Sequence, residues 1–339
     1  MIPRTAIPKG VRVFTPEETA QRRAVEARLL AVFHRWGFRE IITPTFEYLE
    51  VFEQPTAEDA GDQMFKFVDR QSGRLLALRV DITPQVARLV ATTLRQAPLP
   101  LRLAYAATVF RYHEPKAGRQ REFEQIGVEL IGLELPEADA EMIAMVVEGC
   151  QTLGLDAFQI DVGQVEVVRG LLNALQPAAE LRPRLVSAIR RKDPLELEVL
   201  LREVPADPAL KDAILALPRL YGGREILDQA GRFAFPPASR AALANLAEVV
   251  RILENYGLAE HVILDLAETL DFEYYTGVVF GAFSRGLGYQ LASGGRYDHL
   301  IGQFGYSCAA TGFTFDLERV MAALTAAEAL PPVTGPDVL

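Results

Sequence analysis

With 339 residues, 50% of them hydrophobic and 24% charged, the chain can bury one large core or two ordinary ones and has the composition of a globular protein. A net charge of −10 argues against a dedicated nucleic-acid surface, and no apolar run approaches the roughly 18 residues of a membrane helix. The opening segment MIPRTAIPKGVRVFTPEE has no signal-peptide core, and Cys150 and Cys308 lack a CxxC partner; with four scattered histidines, this points to the cytoplasm and to no metal.

Pro16-Glu17-Glu18-Thr19 reads as a helix start. Ala24, Leu29, Leu30, Val32 and Phe33 supply its apolar stripe, and Gly37 stops it. Ile41-Ile42 opens a strand leading to Pro44. Leu75 to Leu78 is a strand, and Asp81-Ile82-Thr83-Pro84 turns it into a helix, with Thr83 as N-cap and Pro84 at the first helical position.

Residues 110–129, FRYHEPKAGRQREFEQIGVE, are the most informative stretch. An apolar approach from Ala104 to Phe110, a Pro115-Lys116-Ala117-Gly118 loop and a return strand make a β-hairpin. Arg111, Arg119 and Arg121 surround the loop with guanidinium forks suited to phosphate or carboxylate. On the return strand Ile126, Val128 and Leu130 share one face, so Phe123, Gln125, Gly127 and Glu129 share the other. Gly127 then leaves a slot between an amide and a carboxylate.

Glu137 to Leu153 is helical, and Phe158 to Val162 is a strand. From about Glu166 to Glu254, leucine, alanine and arginine recur at helical spacing between prolines, which reads as an inserted helical lobe without a catalytic constellation. Strands resume over Val262–Leu266, Tyr275–Phe280 and Tyr289–Ala292, and a last helix covers about Asp316 to Ala329. The fold class expected is α+β, an antiparallel sheet flanked by helices.

The hairpin resembles motif 2 of class II aminoacyl-tRNA synthetases, and of histidyl-tRNA synthetase in particular. Trp36 to Pro44, followed by Glu47, resembles motif 1, the dimer-forming helix and strand; Gly312 to Arg319 resembles motif 3. Tyr274-Tyr275-Thr276-Gly277-Val278-Val279-Phe280 and Gly294-Gly295-Arg296-Tyr297-Asp298 resemble the histidine-specific signatures. The resemblance implies a class II synthetase-like domain over residues 1–325 containing the lobe at 166–254. It also implies a histidine pocket made by Asp81, Thr83, Gln125, Glu129, Tyr274 and Tyr275. An α-amino group needs carboxylates and a hydroxyl, and an imidazole needs an acceptor and a donor, which Glu129 and a tyrosine hydroxyl can supply. Helix capping by Asp81 and Thr83, and strand packing by the two tyrosines, are the plainer alternatives.

The ATP side departs from the synthetase pattern. His113 stands where motif 2 carries an adenine-facing glutamate. Leu270 stands where the family has an arginine that stabilises charge on the reacting groups, and losing one such donor costs about 10²–10³ in rate. Arg111, Arg119 and Arg319 remain as residual anion-binding candidates, with structural ion pairing as their alternative. Beyond the motif 3 helix a synthetase continues into an anticodon-binding domain; here residues 326–339 read as a tail. This combination resembles the regulatory-subunit family of ATP phosphoribosyltransferase. The resemblance implies no catalysis and no cofactor of its own, a dimer, a short-form catalytic subunit as partner and free histidine as effector. An active histidyl-tRNA synthetase, or a sensor for another partner, are the rival readings.

Overall fold

The computed structural model describes residues 5–53, 64–112, 120–269 and 274–332. Helix α1 (Pro16–Arg35) opens on Thr15, whose hydroxyl accepts from the Glu18 amide while the Glu18 carboxylate accepts from the Thr15 amide. Such a reciprocal cap stabilises a helix end by about 1 kcal/mol. Gly37, at φ +83°, turns the chain after the helix, a backbone shape open to glycine without strain.

Then come strands β1 (Arg39–Glu40), β2 (Phe46–Tyr48), β3 (Lys66–Val68) and β4 (Leu75–Leu78), and helix α2 (Thr83–Ala91). The hairpin strands β5 (Leu101–Phe110) and β6 (Glu122–Ile131) lead to helix α3 (Pro136–Thr152) and β7 (Phe158–Gln164). Helices α4 (Val165–Leu175), α5 (Leu181–Arg190), α6 (Pro194–Arg202) and α7 (Pro208–Ala216) follow. After them lie β8 (Tyr221–Gly222), α8 (Glu225–Ala230), α9 (Pro237–Asn255), β9 (Val262–Asp265), β10 (Val278–Ser284), β11 (Gln290–Arg296), β12 (Ala310–Asp316) and α10 (Leu317–Ala326).

Among the described residues the main sheet has nine strands in the order β1-β5-β6-β12-β11-β10-β7-β9-β8. It is antiparallel except where β1 lies beside β5 and β7 beside β9, so the expected antiparallel sheet is in fact mixed at its two ends. A small sheet, β2-β4-β3, sits apart. One face of the main sheet packs on α1, α3, α9 and α10 in the largest core, to which Ile126, Val128 and Leu130 belong. The opposite face carries a second core, in which Val86 and Val90 of α2 meet Tyr105, Tyr297 and Ile301. That second face holds the site.

The segment expected as a helical lobe is helical apart from β8. Its buried Leu171, Leu200 and Leu246 belong to the same core as Leu29 and Met142, so this lobe is welded to the body rather than set beside it. Strand β1 ends before Ile41, whose amide still reaches the Ala104 carbonyl at 2.8 Å. Ile42, expected in a strand, is 98% exposed. Tyr275 to Gly277 lies ahead of β10 rather than in it, and the hairpin loop with its Pro115-Lys116-Ala117-Gly118 lies outside the described residues.

Candidate functional site

A cavity of about 320 Å³ opens on the second face of the sheet, and Asp81, Thr83, Gln125, Glu129, Tyr274 and Tyr275 all line it, together with Arg111. Around it three glycines of the sheet, of which Gly312 lines the cavity, are each crossed by a side chain rooted elsewhere. In β6 Gly127 stands opposite Tyr105 of β5, and a Cβ at Gly127 would meet the Tyr105 hydroxyl at 2.7 Å. In β12 Gly312 stands opposite Glu129, and a Cβ there would collide with the Glu129 carboxylate. In β11 a Cβ on Gly295 would lie 2.9 Å from the Tyr275 ring. Bare backbone in three strands therefore lets bulky polar side chains lie flat across the sheet. The slot expected at Gly127 is not empty; Tyr105 fills it.

Glu129 is almost completely buried, at 1% exposure. Thr83 and Tyr105 donate to its Oε1 at 2.7 and 3.2 Å, and Tyr297 donates to its Oε2. Burial pushes the Glu129 carboxyl up to about 8; the hydroxyls of Tyr297 and Thr83 pull the other way, and the Asp81 charge adds to the rise. Tyr105, Tyr274 and Tyr297 all have their phenols raised well above the usual range, first by burial.

Thr83 does not cap α2 as expected. Ile82 already has helical dihedrals, so Thr83 lies inside the first turn and its hydroxyl is free to serve Glu129. Asp81 accepts from the Ile82 amide at 2.8 Å and keeps its carboxylate at the cavity. Gln125 is 3% exposed, and its Oε1 has no partner among the described residues. A buried acceptor left open costs about 1–3 kcal/mol, so a donor from a ligand would be gained at this point.

Tyr274 and Tyr275 face the same cavity although adjacent in sequence, which a strand forbids and the turn ahead of β10 permits. Tyr274 packs edge-on to Tyr275 at 4.9 Å and stacks on Tyr297 at 5.6 Å. Arg111 gives its Nε to the Val80 carbonyl at 2.9 Å, lies over the Phe123 ring, and brings the cavity a positive charge. Arg319 is not among the lining residues; its Nε lies 3.0 Å from Asp316 and its Nη1 donates to the Gln290 carbonyl. Arg119, His113 and Leu270 lie outside the described residues. No group of three or more potential metal ligands occurs among the described residues.

Tyr105, Ser293, Tyr297 and Thr314 also line the cavity, without having been singled out for it. A signal for Tyr105 existed in the pairing parity, since the residue opposite Gly127 must share its face. In the Gly294–Asp298 segment the work is divided. Arg296 is a buried strut whose Nε donates to Asp139 of α3 at 3.0 Å and whose Nη1 donates to the Leu133 carbonyl. Asp298 accepts from the Ala310 amide, while Tyr297 and the bare backbone of Gly294 line the cavity.

The family model for histidyl-tRNA synthetase matches residues 10–320. An ATP phosphoribosyltransferase regulatory subunit of Geobacter sulfurreducens is 46% identical over 327 residues, covering 96% of this chain and 74% of the relative. The chain belongs to the ATP phosphoribosyltransferase regulatory subunit family. A regulatory subunit of Moorella thermoacetica is 44% identical over 317 residues, 94% of this chain and 81% of its own. A crystal structure from Bacillus halodurans C, described as an ATP phosphoribosyltransferase regulatory subunit/histidyl-tRNA synthetase, superimposes with TM-score 0.87 at 32% identity, covering 98% of this chain and 85% of that one. The α+β fold of this regulatory-subunit family is thus the histidyl-tRNA synthetase-like class II fold. No helix among the described residues is long and apolar enough to cross a membrane.

Proposed function

We propose that this chain is a cytoplasmic, non-catalytic regulatory subunit that binds free histidine in the cavity and controls a separate short-form ATP phosphoribosyltransferase subunit. The observation that carries the reading is the donor and acceptor pattern of the cavity in a chain of this family. Asp81 and the open Gln125 Oε1 suit an α-ammonium group, Arg111 suits a carboxylate, and Glu129 with its hydroxyls suits an imidazole. A subunit of this kind forms a dimer through the motif 1 region, where Ile42 and Phe46 expose 98% and 53% of their surface.

Reconstitution tests the reading. Added to the catalytic subunit, the protein raises phosphoribosyltransferase activity, and histidine then lowers it. No effect on that activity would contradict the assignment, and histidine-dependent ATP–pyrophosphate exchange by the isolated chain would restore the synthetase reading. Leu270, with no donor for the transition state, is the residue that argues against such exchange.

A further inference from the structure

Glu129 is a buried acid without a cationic partner among the described residues. The groups facing it are Asp81 ahead of α2, Thr83 in the first turn of α2, Tyr105 on β5, Tyr274 ahead of β10 and Tyr297 after β11. From β12 it meets the bare backbone of Gly312. Arg111 lines the same cavity, but its Nε is given to Val80 and it forms no hydrogen bond with Glu129. Hydroxyls are two-way partners: each can donate to a carboxylate or turn to accept from a carboxylic acid. The cage therefore accommodates Glu129 with or without its proton.

We propose that Tyr297, with Tyr105, is a positioning residue that sets the protonation of Glu129, so that effector binding turns on a single proton shared between Glu129 and the effector's ring. This rests on histidine being the effector. Burial holds the empty-site carboxyl in its neutral form up to about pH 8. An imidazole, ordinarily titrating near ~6.5, brings in the missing base. The Glu129 O–H bond breaks, an N–H bond forms on the ring, and the product is a carboxylate–imidazolium pair with no net exchange of protons with water. Below about pH 6.5 the free ring already carries a proton, so binding must release one. Above about pH 8 the empty carboxyl is ionised, so binding must capture one. Affinity peaks between these limits and falls on each side toward about tenfold per pH unit.

Calorimetric titration of histidine into the full-length protein, in buffer pairs of different ionisation enthalpy from about pH 5.5 to 9.5, reads the proton count directly. The expected count is near zero around neutrality, with release on the acid side and uptake on the alkaline side. Glu129→Gln should abolish the alkaline uptake and leave only the step of histidine's own amino group. Because the Tyr297 hydroxyl favours the carboxylate, Tyr297→Phe should move the alkaline limb to higher pH; Tyr105→Phe, with its longer contact, should move it less. A merely structural role would lower affinity equally at every pH and leave the limb in place. Binding without proton exchange across the range, or a limb unmoved in both tyrosine variants, would overturn the proposal. If Tyr297→Phe does not fold, the wild-type proton count and Tyr105→Phe still decide. Absence of binding at every pH would contradict the histidine reading itself, whereas pH-independent binding would contradict only the proton linkage.

Discussion

Glu124 and Glu129 lie five positions apart on β6, an odd step, and so point to opposite faces of the sheet. Glu129 is buried and Glu124 partly so, and the carboxyls of both are raised above the ordinary value of 4.5, first by burial. Their surroundings differ in kind. Glu124 sits under α1 with Arg22 at 3.6 Å and Arg23 at 3.7 Å, while Glu318 takes Arg22 at 2.6 Å and the Glu124 amide at 2.9 Å. Glu129 has hydroxyls around it and a cavity in front. A buried acid answered by arginines fastens elements together; one answered only by hydroxyls is left with charge capacity that a ligand can use. A third acid, Asp139, marks the extreme of the first kind, held by the Arg296 strut at 1% exposure.

The largest expected effect follows from that extreme. Arg296→Ala strands Asp139 in the core, and breaking such a pair costs about 3–5 kcal/mol; urea unfolding should show a loss of this size with histidine absent. A loss under ~1 kcal/mol would mean that Asp139 takes a proton and escapes the penalty. Next in size, Glu129→Ala should weaken histidine binding about a hundredfold, ~2.8 kcal/mol at 1.4 kcal/mol per tenfold, because the imidazole would lose its acceptor. The same change at Glu124 should leave affinity within a few-fold, which separates the two faces of the strand.

On the fastening face, Arg22→Ala should cost about 1–2 kcal/mol of stability, less than Arg296 because its side chain keeps 13% exposure and Arg23 remains near Glu124. The last effect is a matter of pH, read as a slope across a window rather than as a single loss. Folded Glu129 holds its proton to about 8 and the unfolded acid only to about 4.5, so between these values the folded state binds more protons. Wild-type stability should therefore decline as pH rises from about 5 to 8. Glu129→Gln does not titrate, and melting curves at several pH values should show its stability rising relative to wild type across that window. A constant difference would place the Glu129 carboxyl in its ordinary range.

Much of the site was legible because its residues sit in segments whose local pattern is strong. Alternation along β6 put Gln125 and Glu129 on the cavity face, and Pro16 and Gly37 bounded α1. What escaped depended on crossings between segments. Tyr105 reaches over Gly127, and Glu129 over Gly312, only once three strands are laid side by side. Thr83 looked like a cap because a hydroxyl before proline usually is one; the helical dihedrals of Ile82 changed its role. Tyr274 and Tyr275 looked like strand residues by composition, but a turn was needed to bring both to one cavity. Arg319 read as an anion site from its motif, yet Asp316, three positions earlier, takes its guanidinium.

The central claim is that the cavity on the second face of the sheet holds free histidine through Glu129. Equilibrium titration of histidine into the wild-type protein and into Glu129→Ala at neutral pH tests it most directly. The account predicts saturable binding by the wild type, with a matching rise in melting temperature of about 2.7 kcal/mol equivalent at a hundredfold excess over the dissociation constant. It predicts about a hundredfold loss in Glu129→Ala. Binding of equal strength to both proteins would place histidine elsewhere and contradict the account.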